Sequence, residues 1–185
     1  IMGCQVDLAY MTPAPGENPR APAPIVLLAQ NEAGYVNLMK LNSCLYLRVD
    51  GQLPHVTLED LEAHSACVIC LTGGPDGPVG RLLQTAQTPA AEALVKRLAG
   101  IFDDRLYMEL QRHPGEAGLP EAERATERGF VEMAYAMDIP LVATNDAYFP
   151  DAKMYEAHDA MLCVAEGAYV DQSQPRRRLT PQHYF

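Results

Sequence analysis

The sequence has no long apolar run and few basic residues. None of its apolar stretches approaches the roughly 20 residues that cross a bilayer, and no basic segment followed by an apolar one opens the chain. Lys and Arg number 14 against 24 Asp and Glu, which gives a net charge of -10. Because affinity for DNA comes largely from neutralising phosphates, we expect a cytoplasmic chain that binds no membrane and, by itself, little nucleic acid.

Complete cofactor and metal motifs are also missing. The five cysteines are an odd number, which is typical of a reduced intracellular protein rather than a disulfide framework. The C-x-x-C of residues 67–70 has no second pair to complete a zinc site, so we expect core cysteines. The glycine-rich residues 73–77 match neither G-x-G-x-x-G nor Walker A spacing and predict a tight turn. The short basic run at 176–178 predicts a solvated patch.

The sequence contains a unit that is repeated along the chain. In each unit a short apolar run ends in polar residues and is followed by a helical pattern. Such runs are found at residues 25–29, 68–71, 106–110 and 141–144, with a further strand at 1–6. We interpret the last of the four as a buried strand that carries Asp146 at its end. Repeated units of this kind build a parallel sheet or barrel with its chemistry at the carboxyl ends of the strands. Asp146 and His113 are therefore the first candidate site residues.

Helical patterns fill most of the remaining chain. Asn31 is a candidate cap for a helix to about residue 48, whose inner side we assign to Tyr35, Leu38, Met39, Leu41, Leu45 and Tyr46. A capping box at 57–60 begins a short helix. Further helices are predicted at 79–86, 88–99, 120–137 and 154–164. For the helix at 120–137 we place Ala125, Phe130, Val131, Ala134 and Met137 inward. Residues 11–24 form a proline-rich loop, and residues from 167 onward a loop-like tail.

From the residues alone, the predicted site is weak. A metal or hydrolytic centre normally needs three or four converging ligands, and the strand ends supply one aspartate and one histidine. A histidine beside a Pro-Gly turn, such as His113, is more often a hydrogen-bonded surface group. The neighbours His158 and Asp159 are more often exposed or capping. If Asp146 binds no metal, we expect its carboxylate to pair with its own turn, with Tyr148 or with Arg112.

Five segments together resemble one known family. The motifs are N-E-A-G-Y-V-N-L at 31–38, L-T-G-G at 71–74, Y-M-E-L at 107–110, A-T-N-D at 143–146 and A-H-D-A-M-L-C at 157–163. In this order they are similar to the PHP (polymerase and histidinol phosphatase) domain of bacterial DNA polymerase III alpha subunits. The resemblance implies an α/β fold, a distorted (β/α)7 barrel of the PHP type with a trinuclear metal cleft. It also implies that residues 1–166 are the barrel portion of a longer protein, without the segment that carries the family's His-x-His motif. Residues 167–185 would lead towards the polymerase palm region.

The family's metal ligands are mostly replaced in this sequence. Its glutamate after the first strand corresponds to Gln5, and the histidine opening the next strand to Pro24. Gly74 stands where the family has a cysteine, and Tyr148 where it has the last histidine. Asp146 is the only retained ligand of the five. We therefore expect a vestigial cleft, which also includes His113, with no bound metal and no cofactor in this portion.

The resemblance implies a role in DNA replication. The leading hypothesis is a structural and docking portion of a DNA-directed DNA polymerase, a nucleotidyltransferase that uses Mg²⁺ in a downstream palm domain. Its partners would be the remainder of the alpha subunit and a proofreading exonuclease, with DNA bound only by the whole protein. The alternative is a metal-dependent phosphoesterase that uses His113 and Asp146. A binding barrel from an error-prone paralogue is a third hypothesis, which the sequence leaves open.

Overall fold

The computed structural model of the chain describes residues 1–11, 20–47, 53–115, 118–172, 176 and 178–185. In these residues six strands and six α-helices form a mixed α/β fold. The strands are β1 (Gly3–Ala9), β2 (Ala23–Ala29), β3 (Val56–Thr57), β4 (Val68–Leu71), β5 (Leu106–Leu110) and β6 (Leu141–Ala143). The helices are α1 (Glu32–Tyr46), α2 (Leu58–His64), α3 (Pro78–Gln84), α4 (Thr88–Phe102), α5 (Glu121–Met137) and α6 (Tyr155–Glu166).

The strands form one open sheet in the order β3-β1-β2-β4-β5-β6. The pairs β1–β3, β4–β5 and β5–β6 are parallel, whereas β2 runs antiparallel to both β1 and β4. The α/β class is thus confirmed, and within the described ranges the sheet does not close on itself. Closure into a (β/α)7 barrel remains a prediction.

The reversed direction of β2 contradicts the sequence interpretation of that strand. Gln30 and Asn31 follow β2 at the end of the sheet opposite to the carboxyl ends of β4, β5 and β6. These two residues therefore lie away from the site. Instead its first residues lie beside the end of β1, where Pro24 pairs with Asp7. Parallel neighbours need a crossover, usually a helix, whereas antiparallel ones do not. The connection before β2 is rich in proline, which is disfavoured inside helices, and β2 runs antiparallel to β1.

A single apolar core lies between the sheet and its helices. Its fully buried large side chains include Leu8, Ile25, Leu27, Leu41, Leu61, Leu82, Leu98, Phe102, Leu106, Met108 and Phe130. All five cysteines are free thiols. Cys70 lies in this core as predicted, whereas Cys67 is only partly buried and lies outside it, so the prediction of two core cysteines is only partly correct. No helix in the described part of the chain is long and apolar enough to cross a membrane.

Both predicted helix caps are confirmed. The side chain of Asn31 accepts a hydrogen bond from the backbone N–H of Gly34 at 3.1 Å. At the start of α2, Thr57 and Asp60 form a reciprocal capping box, with 2.7 Å between the Thr57 nitrogen and the Asp60 carboxylate. These caps satisfy N–H groups that the first helical turn leaves unpaired.

The predicted inner side of α1 is only partly correct. Leu38 and Leu41 are buried, but Tyr35, Met39 and Tyr46 are exposed. With 3.6 residues per turn, these three positions lie about a third of a turn from the buried stripe. They form an apolar stripe on the outer face of the helix.

Burial also differs from prediction in α5 and β6. Ala125 is exposed, and the inner face of α5 instead includes Glu123 and Thr126 beside Phe130 and Ala134. Strand β6 is an outer strand of the sheet, and Leu141 is 37% exposed, so the prediction of a buried strand is wrong. The two-residue strand β3 was not predicted.

Some predictions fall outside the described residues. These are most of the proline-rich loop (12–19), the predicted end of α1 at residue 48, and residue 177 in the basic run. Helix α6 ends at Glu166, while the domain boundary predicted there remains a prediction. The tail beyond it includes one β-bridge, between Phe149 and Tyr184.

Candidate functional site

The ends of five strands surround a pocket of about 570 Å³. Strands β1 and β2 line one side, and the residues that follow β4, β5 and β6 line the other. The lining residues are Gln5, Asp7, Pro24, Val26, Leu71, Gly73, Asp76, Arg81, Glu109, Gln111, Thr144, Asn145, Asp146, Ala147 and Tyr148. Four of them are carboxylates and three are amides, so the pocket is a polar, acidic cleft.

Glu109 on β5 is the buried centre of this cleft, with 3% of its surface exposed. Its carboxylate accepts hydrogen bonds from the backbone N–H of Gly73 at 2.9 Å, from the Thr144 hydroxyl and from the Gln111 amide. Its own N–H donates to the Thr72 hydroxyl at 3.0 Å. A buried carboxylate is costly unless it is hydrogen-bonded. These bonds therefore hold Glu109 and join the residues that follow β4 to those that follow β6.

The Cys70 thiol lies close to this carboxylate. Burial, and to a smaller degree the nearby charge of Glu109, raises the pKa of Cys70 far above its ordinary value. Because the thiolate is the reactive form of cysteine, Cys70 is an inert core residue.

His113 lies two residues beyond Gln111 and is 1% exposed. Its Nδ1 is 2.6 Å from one Glu123 oxygen, and its backbone N–H donates to the other at 2.9 Å. Its Nε2 accepts from the N–H of Asp146 at 3.3 Å, which leaves the proton on Nδ1. The prediction of a surface histidine is therefore wrong, since His113 forms a buried pair with the first turn of α5.

A second histidine covers His113. The rings of His113 and His183 stack with centroids 3.7 Å apart and an interplanar angle of 6°. His183 Nδ1 donates to the Asp146 carbonyl at 2.9 Å. Burial lowers the pKa of His183, and although the hydrogen bond to Asp146 opposes this effect, the net direction is downward.

Asp146 binds both histidines through its backbone, with its N–H donating to His113 and its carbonyl accepting from His183. In the described part of the chain no hydrogen bond to its carboxylate is seen, and the side chain is partly exposed at the pocket wall. The predicted pairing with Arg112 is wrong, because the Arg112 guanidinium binds both oxygens of Glu127 at 2.6 and 2.9 Å. The carboxylate of Asp146 therefore faces the cleft.

The six residues predicted for the cleft lie at one end of the sheet. Gln5, Pro24, Asp146 and Tyr148 line the 570 Å³ pocket. Gly74 follows Gly73 at its edge, where an added Cβ would lie 2.7 Å from the Gln111 side chain. His113 lines an adjoining pocket of about 250 Å³, which shares Asp76, Gln111 and Asp146 with the first.

The donor set of this cleft does not fit a trinuclear metal centre. Within the described ranges, no three or more His, Cys, Asp or Glu side chains are arranged to hold a metal ion. Gln5 is neutral, and Pro24 and Gly74 offer no side-chain donor. Hard cations require several oxygen ligands, preferably carboxylates. Gln5, Pro24 and Gly74 therefore cannot supply the ligands of a trinuclear centre.

A buried ion pair outside the cleft was not predicted. Arg176 binds both oxygens of Asp159 at 2.6 and 2.9 Å, and both side chains are nearly inaccessible. The Arg176 guanidinium lowers the pKa of Asp159. The predictions of a solvated Arg176 and an exposed or capping Asp159 are wrong, because the tail folds back onto α6.

Three residues central to the site had little or no signal in the sequence. Glu123 is one of several acidic residues at the start of α5, and His183 lies 70 positions from His113. Glu109 lies within the predicted strand at 106–110, which by itself assigns it to no cleft. Alternation along β5 places Glu109 on the face opposite the buried Leu106 and Met108, so the pattern of the strand does not indicate that Glu109 is buried.

Comparison with known proteins gives a consistent result. The PHP domain family matches residues 1–113. The chain is 45% identical over its whole length to the DNA polymerase III subunit alpha of Caulobacter vibrioides, covering 16% of that protein. It is 36% identical to the subunit of Rickettsia bellii, over 88% of the chain and 13% of that protein. It is 34% identical to that of Haemophilus influenzae, over 87% of the chain and 14% of that protein. The chain thus spans about one seventh of the relatives it matches.

Proposed function

Since this chain belongs to the PHP domain family, we propose that it is the PHP portion of a bacterial DNA polymerase III alpha subunit and that its own cleft is not catalytic. The whole protein would be a DNA-directed DNA polymerase, a nucleotidyltransferase of cytoplasmic DNA replication. The PHP portion would serve as a structural and docking module. The similarity to alpha subunits across the full chain supports the first part of this proposal.

The second part of the proposal, that the cleft is not catalytic, is supported by the residues that line the cleft. Gln5, Pro24, Gly74 and Tyr148 occupy positions at which the family resemblance places metal ligands. A polynuclear site that lacks most of its ligands loses the charge that holds its cations. The carboxylate at the centre, Glu109, is committed to hydrogen bonds within the protein.

The partners follow from the same proposal. The remainder of the alpha subunit would pack against this module, and a separate proofreading exonuclease would dock on it. The net charge of -10 supports the view that DNA is held by other parts of the protein, since binding requires many Lys and Arg contacts to phosphates. Mg²⁺ would act in the polymerase palm and not in this cleft.

Substitution of Asp146 in the full-length protein tests the proposal. We expect Asp146→Asn to extend a primed template as fast as the wild type, because the carboxylate touches no reacting group. Asp171→Asn, at an exposed position in the tail, is the matched control. A loss of polymerisation confined to Asp146→Asn would contradict the proposal.

The acidic lining of the pocket is the observation that favours the alternative, a metal-dependent phosphoesterase. Asp7, Asp76, Glu109 and Asp146 all face the same space. We expect no hydrolysis of a phosphomonoester or phosphodiester in Mn²⁺, and no stoichiometric metal after dialysis by elemental analysis. Hydrolysis that depends on Mn²⁺ and disappears in Asp146→Asn would establish the alternative.

A further inference from the structure

Residues 178–185 run along the adjoining pocket of about 250 Å³ and are held there at several points. The side-chain amide of Asn145 donates to the carbonyl of Gln182 at 3.1 Å and also to that of Tyr184. The N–H of Tyr148 donates to the His183 carbonyl at 2.9 Å. These bonds join the segment to the loop that follows β6, which is the loop that carries Asp146.

The two ends of this segment have their own anchors. At the start, the Arg178 guanidinium donates to the Tyr155 hydroxyl of α6 at 2.9 Å. At the other end, Tyr184 forms a β-bridge with the buried Phe149. The segment is thus tied to α6 and to the loop after β6.

His183 is the residue of the segment that covers His113 in the adjoining pocket. Its ring lies flat on His113, and Tyr148 meets it edge-on with ring centroids 5.9 Å apart. His113 is 1% exposed and His183 8% exposed. The pocket at this point is bounded on one side by Arg178, Leu179, Thr180 and His183. Removing the segment would therefore open His113 to solvent.

We propose that residues 178–185 form a removable strap that closes the adjoining 250 Å³ pocket, in which His183 covers His113. Most of the contacts that hold the strap are hydrogen bonds to one short loop and a ring stack, rather than large apolar side chains in the core. Contacts of this kind open locally at lower cost than the core unfolds. When open, the strap would expose His113 together with its partner Glu123, both of which are buried in the closed form.

Chemical modification of histidine tests the strap in the full-length protein. Diethyl pyrocarbonate acylates accessible neutral imidazoles, and mass spectrometry reports the rate at each histidine. In the wild type we expect His113 to react far more slowly than the partly exposed His64. In Asn145→Ala, which loosens the strap without altering either stacked ring, we expect His113 to react about five times faster, as for the loss of one or two hydrogen bonds.

Asn37→Ala is a matched control. The Asn37 amide donates to the Ala66 carbonyl at 2.9 Å, a bond of the same kind at a site far from the strap in sequence and contacts. We expect no change of His113 reactivity in this variant. An equal increase in Asn37→Ala would mean general loosening and would overturn the proposal. So would a wild-type His113 that reacts as fast as His64, or an Asn145→Ala protein in which His113 stays protected.

Hydrogen exchange of the wild type provides a second measurement that needs no variant. The strap predicts that peptides covering 145–149 and 178–185 exchange together, through one opening, and faster than α4 in the core. Exchange of residues 145–149 as slow as that of α4, or at a rate unrelated to that of 178–185, would overturn the proposal.

Discussion

Replacement of Glu123 by alanine tests whether the buried His113–Glu123 pair stabilises the fold. The carboxylate accepts two hydrogen bonds from His113, one from the backbone N–H and one from Nδ1. Both groups are buried, and Glu123 is 6% exposed. Leaving a buried donor unsatisfied costs about 1–3 kcal/mol. Two such donors give an expected loss of about 2–5 kcal/mol in the free energy of unfolding.

Glu123→Gln refines this test because it keeps the shape and one acceptor. A change of His113 tautomer cannot restore the lost bond, because Nε2 already accepts from the N–H of Asp146. We therefore expect an intermediate loss of about 1–3 kcal/mol. Urea denaturation followed by circular dichroism measures both variants, with an unchanged slope as the condition for comparison.

The control for this series is Glu132→Ala on the same helix. Glu132 is exposed and pairs with Arg128 on the surface, so its loss should change the urea midpoint little. If Glu123→Ala unfolds at the same urea concentration as Glu132→Ala, the pair does not stabilise the fold and the reasoning is refuted.

Three further substitutions have expected outcomes. Gly34→Ala should destabilise the protein despite the better helix propensity of alanine, because the new Cβ would lie 2.0 Å from the Cys67 carbonyl oxygen. A Cβ added at Gly100 would have no neighbouring atom within 4 Å, so Gly100→Ala should stabilise the protein by about 0.5–1 kcal/mol. Equal changes of melting temperature in Gly34→Ala and Gly100→Ala would contradict this. Arg176→Ala should lower the urea midpoint at neutral pH, and the difference from wild type should shrink in acid. The pKa of Asp159 is lower in the folded protein than in the unfolded chain, where it is about 3.9. The ion pair therefore stabilises the fold above the unfolded pKa, and this contribution is lost as the pH falls through the folded pKa. A difference between variant and wild type that does not depend on pH would exclude the ion pair as its cause.

The sequence predicts much of the local structure because local structure depends on short-range patterns. The cap at Asn31 and the capping box at Thr57 and Asp60 each involve residues three positions apart. The bounds of β5 are also as predicted, since its apolar run is continuous and ends in polar residues. Signals of this kind are complete within one segment of the chain.

The direction of β2 could not be read in the same way. Its apolar run resembles those of β4 and β5, and direction depends on how the chain returns to the sheet. The exposure of β6 has a related cause. An apolar run identifies a strand, but not whether a second strand lies beside it, so Leu141 was predicted to be buried and is not.

The site was harder to predict because its contacts join distant segments. Gln5, Pro24, Asp146 and Tyr148 were placed together through a family resemblance and line one pocket. The pairing of His113 with Glu123 depends on how the turn after β5 meets α5. The stack of His113 and His183 depends on the tail returning across 70 residues of chain, which no periodicity encodes.

The polar groups of the cleft have a structural use even without a metal. Glu109 connects Gly73, which follows β4, with Thr144, which follows β6. His113 connects the turn after β5 with α5 through Glu123, and through His183 with the tail. Replacing one of these residues by an apolar one would leave its buried partners without a hydrogen bond, at a cost comparable to that of a core cavity. The polar side chains of the cleft thus stabilise the fold, because their hydrogen bonds hold the loops at one end of the sheet in place.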